Sequence, residues 1–195
     1  MFATVDALSG DVFVEESGNL LESATAVFDQ GDRQYRYLLT RSWGPGPVVL
    51  FIMLNPSTAD AFTDDPTVTR CLRPARRLGF GALAVVNLFA LRATDPAALA
   101  THPEPVGPLN DAVITGIAAE ADQLIAAWGA HPQAAVRAQV VTDLLNARRS
   151  QLACLGLTKR GQPRHPLYLR ADSPLQPFPP HSTCARPARQ PAKRR

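Results

Sequence analysis

The chain has 195 residues, of which 46% are hydrophobic, and its 20 Lys and Arg against 17 Asp and Glu give a formal net charge of +3. That length fits one domain around one core. No apolar run approaches the ~20 residues of a membrane span, and the N-terminus lacks the basic-then-apolar order of a secretion signal, so a soluble, cytoplasmic protein without membrane contact is expected.

In chain order, "SATAVFD" and "RQYRYLLTRSW" flank Gln30-Gly31-Asp32 and predict an antiparallel hairpin at the edge of a sheet. "PVVLFIML" is a continuous apolar run with β-branched content, the pattern of a strand buried on both faces. Asp65-Pro66 supplies an N-cap and a first-turn proline for a helix through "TVTRCLRPARRLGF", ending near Gly79. Pro74 inside it predicts a kink or two shorter pieces. "GALAVVNLFAL" reads as a second buried strand ending at Asn87, and "LNDAVITGIAAEA" as a helix with Asn110 as its cap. "DQLIAAWG" is a third strand, "PQAAVRAQVVTDLLNARR" an amphipathic helix, "QLACLGLT" a fourth strand and "PLYLR" a short extended segment.

Strands alternating with helices predict a three-layer α/β/α sandwich: a mostly parallel central sheet with helices on both faces and the N-terminal hairpin at its edge. The domain is expected over residues 24–175, after a partly ordered segment 1–23 and before a basic, Pro-rich, disordered tail 176–195. That tail ends in "RPARQPAKRR", with five basic residues and no acid. Cys71, Cys154 and Cys184 are an odd number at wide spacing, which favours reduced thiols over a disulfide framework or a zinc knuckle.

In such sheets ligands gather beyond the carboxyl ends of the strands. Those ends here carry "LNPSTAD", "NLFALRATDP", "WGAHP" and "GLTKRGQPRHP". Neither GxxxxGK[ST] nor GxGxxG occurs, so no nucleotide cofactor held by those loops is expected. Asn55, held extended by Pro56, either closes an Asx-turn or meets a ligand. Asp65 has its duty as a cap. Asp60 and Asp64 suit a solvated loop, water activation or a cation, but their spacing does not specify a metal site. Asn87 both donates and accepts, as base reading requires, and Phe89 is either core or a stacking surface. His165 lies among Lys159, Arg160 and Arg164, cations that would disfavour its protonation, so a neutral imidazole donating to a developing anion is chemically sensible there. His102 and His131 read as ordinary surface or turn histidines.

The ordered motifs "RYLLTRSWG", "FIMLNPSTAD", "DPTVTRC", "VVNLFALRATDP", "PVGPLND" and "CLGLTKRGQPRHPLYL" resemble the bacterial domain-of-unknown-function family 1643 over about residues 24 to 170. Their order also resembles the uracil-DNA glycosylase superfamily, whose three-layer α/β/α fold has its active site on the strand-end rim. "MLNPS" is similar to a first motif ending in Asn-Pro, "VVNLF" to the strand with a base-recognising asparagine, and "RHPLYL" to the His-Pro motif. That resemblance implies N-glycosidic bond hydrolysis, with Asn55 positioning the water, Asn87 reading the base and His165 stabilising the departing base. The expected substrate contacts are Pro56, Ser57, Asn87, Phe89, Lys159 and Arg164, and the expected partner is a nucleotide or nucleic acid. Two other functions use the same rim: a non-catalytic nucleotide-binding module and a protein-docking surface.

Overall fold

A computed structural model describes residues 2–8, 10–147 and 151–179. Its frame is one sheet of eight strands in the order β1-β2-β3-β5-β4-β6-β7-β8. In chain order these are β1 (Val12–Gly18), β2 (Ser23–Asp29), β3 (Arg36–Ser42), β4 (Val48–Met53), β5 (Ala82–Asn87), β6 (Gln123–Ala126), β7 (Leu152–Cys154) and β8 (Gln176–Phe178). Among the described residues there are also five helices, α1 (Ala3–Ala7), α2 (Pro66–Arg77), α3 (Ala98–Thr101), α4 (Asn110–Glu120) and α5 (Ala134–Ala147), and a 3-10 turn at Pro166–Tyr168.

The sheet is mixed, which corrects the expectation of a mostly parallel one. Only β5, β4, β6 and β7 run parallel. The pairs β1–β2, β2–β3, β3–β5 and β7–β8 are antiparallel. Chain economy explains this, because a parallel partner needs a crossover of a dozen or more residues. Residues 19–22 and 30–35 are too short for that, so the N-terminal strands fold back on themselves. β1 carries little strand signal in the sequence, because "VFVEESG" exposes much of its length as an edge strand. The β8 segment reads as tail because Pro177 and Pro179 flank Phe178, yet a proline is tolerated at a sheet edge, where its missing N–H costs no ladder bond. The rest of the expected tail, with Cys184, lies outside the described residues.

β4 and β5 are apolar on both faces because each face is covered. Leu50, Ile52, Ala84 and Val86 join a cluster with Val113, Ile114 and Ile117 of α4 and Val141 and Leu145 of α5. Val49, Phe51, Met53, Leu83 and Val85 turn to the other side, against Val68, Cys71 and Ala75 of α2. Strand alternation thus divides one apolar run between two half-cores. α2 begins at Asp65 as expected, its Oδ1 accepting from Thr67 N at 2.9 Å and Val68 N at 2.8 Å. It continues through Pro74 as one helix.

The β4–β5 crossover carries α2 on one face, whereas the crossovers to β6 and β7 carry α4 and α5 on the other. The chain therefore leaves the carboxyl ends of β4 and β6 in opposite directions, opening a crevice between them. No helix among the described residues is long and apolar enough to cross a membrane.

Candidate functional site

A cleft of about 860 Å³ lies at that crevice. Its floor is the end of β4 with Asn55, Ser57 and Thr58. One wall is the first turn of α2, and the others come from the β6 exit at Trp128–His131 and the segment after β7 that carries Lys159, Arg164 and His165. β3 runs antiparallel to β5, so its first residue, Arg36, stands at the same end of the sheet and also lines the cleft.

Asn55 is half-buried and tied to two loops: its Nδ2 donates to Pro56 O at 3.0 Å and to Ala93 O at 2.8 Å. The amide nitrogen is thus spent on structure, and Oδ1, with no protein donor among the described residues, is the group left to meet a ligand or water. Pro56 is buried in the same turn, its carbonyl also accepting from Ala93 N at 2.9 Å.

His165 precedes the 3-10 turn and accepts from Leu167 N through Nδ1 at 3.4 Å. With Nδ1 as acceptor the neutral ring carries its proton on Nε2. Burial holds the imidazole below its ordinary pKa, with Asp65 opposing more weakly. Desolvation, rather than the neighbouring cations invoked from the sequence, keeps this ring neutral. Gly129, at φ +78, turns the chain beside it; a Cβ there would stand 3.4 Å from that of His165.

Asn55, Ser57, Lys159, Arg164 and His165 therefore share one cleft, but Asn87 and Phe89 do not line it. Asn87 is 1% exposed, and neither its Oδ1 nor its Nδ2 has a partner among the described residues. Its backbone carbonyl accepts from Asn110 Nδ2 at 3.0 Å, as does that of Leu88. Phe89 belongs to the core. Asp60 and Asp64 are occupied away from the cleft: Asp60 Oδ1 accepts from Phe62 N and Thr63 N at 2.8 Å each, and Asp64 pairs with Arg41 at 2.7 Å. Among the described residues no group of three or more His, Cys, Asp or Glu is placed to hold a metal ion.

Arg36, Trp128 and His131 also line the cleft, although none is among the expected site residues. His131 follows a strand end, a signal open to sequence reasoning. Trp128 is braced from behind by Phe178 of β8, their rings edge-to-face with centroids 5.4 Å apart. Arg36 gave no sequence signal, because an arginine opening an edge-hairpin strand reads as surface.

Among known proteins, no curated protein and no solved structure matches the chain. Residues 36–167 match the family described as "Protein of unknown function (DUF1643)", a span running from the buried arginine at the head of β3 to the turn after His165. The chain belongs to the DUF1643 family.

Proposed function

We propose that the cleft binds a nucleotide or a nucleic-acid base and hydrolyses its N-glycosidic bond, the activity implied by the resemblance to uracil-DNA glycosylases. The observation that carries this reading is the meeting of Asn55 and His165, far apart in the chain, in one strand-end cleft. The bond from the sugar C1′ to the base nitrogen breaks with its electron pair leaving on the base. His165 Nε2–H donates to the resulting anion, a role suited to a ring held neutral by burial. A water oriented by Asn55 Oδ1 adds its oxygen to C1′; its proton leaves through solvent and reaches the base nitrogen. An amide cannot serve as the base here, so Asn55 positions the water and does not deprotonate it. Asn87 has no part in this reading, since its side chain lies outside the cleft.

The test is base release from a panel of nucleosides, nucleotides and single- and double-stranded oligonucleotides, followed by mass spectrometry. His165→Ala should lower turnover by about 10²-fold or more while the unfolding midpoint changes little; Asn55→Ala should lower turnover as much and also lower the midpoint, because its Nδ2 bonds to Pro56 O and Ala93 O are lost. Turnover unaffected by either substitution would overturn the roles. Saturable binding without any product would instead favour a binding module.

A further inference from the structure

The floor of the cleft holds a charge that the fold does not neutralise. Arg36 is 2% exposed, and Nη1 donates to Ala59 O at 2.5 Å. Nε is buried with no partner among the described residues. Burial lowers its pKa to about 10, with Asp65 raising it in part, so the guanidinium remains charged at neutral pH. Among the described residues Arg36 makes no ion pair. Asp65, the one acid among the described residues of the lining, spends Oδ1 capping α2 through Thr67 N and Val68 N. A desolvated cation with a buried donor unmet is costly unless an anion completes it.

The rest of the lining has the matching charge. Counting Lys, Arg, Asp and Glu alone, Arg36, Lys159 and Arg164 give +3 and Asp65 gives −1, a balance of +2. A phosphate monoester, with a charge of about −1.5 to −2 at neutral pH, matches that balance, whereas a carboxylate would leave it half met. The planar guanidinium offers paired N–H donors to such an oxyanion, and about 860 Å³ leaves room for the remainder of a small molecule.

We propose that the cleft takes a phosphorylated ligand whose phosphate is anchored by Arg36 at the floor, with Lys159 and Arg164 drawing it in from the exposed mouth. The rest of the ligand follows the nucleotide reading above, on which this proposal rests; the phosphate contact itself requires no bond cleavage.

The test uses the full chain labelled with 15N-arginine. Titration with inorganic phosphate at constant ionic strength should shift one Nε–H resonance saturably, the resonance missing from Arg36→Lys. Chloride at the same ionic strength should not shift it. Arg36→Lys should weaken phosphate binding on the order of ten-fold or more, and uridine and adenosine 5′-monophosphates should bind about ten-fold or more tighter than the nucleosides. If Arg36→Lys does not fold, the binding of the monophosphates against the nucleosides to the wild type decides. An unshifted resonance, an equal shift with chloride, or nucleosides binding as well as their monophosphates would overturn the phosphate site, the last while leaving the nucleotide cleft standing. Phosphate binding with no base released from any substrate would uphold the site and end the glycosidase reading.

Discussion

At the scale of single residues, the cleft is a set of groups whose ordinary bonding has been partly used up. Asn55 keeps one acceptor after tying two loops together, and His165 keeps one donor after Nδ1 accepts from Leu167 N. The depressed pKa of His165 has a thermodynamic consequence. Its folded-state value lies below the ~6.5 of an unfolded imidazole, so below about pH 6.5 the unfolded chain takes up a proton that the folded chain resists. Stability therefore falls as pH drops through that window. Urea denaturation from pH 7.5 to 5.5 should show a shallower acid-side loss for His165→Gln than for wild type; parallel curves would show that burial does not hold this ring neutral. Asn55 and His165 were legible because strand-end polar residues beside Pro or cations carry a signal. Arg36 was not, because it is held by the Ala90 segment that follows β5 and by the loop of Ala59, both distant in sequence.

At the scale of elements, the exit from β5 is held by side chains rather than by a turn. Asn110 is the first residue of α4, not its cap; the cap position is Leu109, which makes no side-chain bond. The Asn110 amide reaches the Asn87 and Leu88 carbonyls, and Arg137 of α5 adds a bond to Leu88 O at 2.9 Å while pairing with Asp111. A polar residue before an apolar helical run fits either role, and only the neighbouring strand decides which carbonyls lie within reach. Asn110→Ala removes a side-chain donor from two buried carbonyls, one of which keeps Arg137, and should cost about 1–3 kcal/mol. Chemical denaturation would check this, and a change below about 0.5 kcal/mol, the size typical of surface substitutions, would contradict it. α2 shows the same precedence of packing over local preference. Val68, Cys71 and Ala75 anchor it to the sheet on both sides of Pro74, so the helix carries its proline without ending.

At the scale of the whole molecule, function and fold meet in the strand order. The central strand β4 has β5 on one side and β6 on the other, and the divergence of their connections makes the crevice. The antiparallel strands β1–β3 bring Arg36 to that crevice because β3 points opposite to β5. Such a sheet should be most stable at its centre. Native-state hydrogen exchange should find the amides of β4, β5 and β6 protected to near the global unfolding free energy and those of edge strands β1 and β8 exchanging by smaller openings. Stronger protection in β1 and β2 than in β4 would show that the antiparallel wing, not the parallel core, is the stable unit.

The sequence by itself determined the elements whose signals are local: the apolar runs of β4 and β5, the Asp65-Pro66 start of α2, the hairpin of β2 and β3, and the polar loops at the strand ends. Tertiary structure alone decided strand direction beyond the hairpin, the recruitment of β1 and β8 at the edges, the withdrawal of Asn87 from the cleft and the burial of Arg36 within it. Local propensity is set by neighbours a few residues away, whereas pairing order and burial are set by which distant surfaces meet, and a charge at the head of one strand becomes a cleft anchor only when another strand and loop close over it.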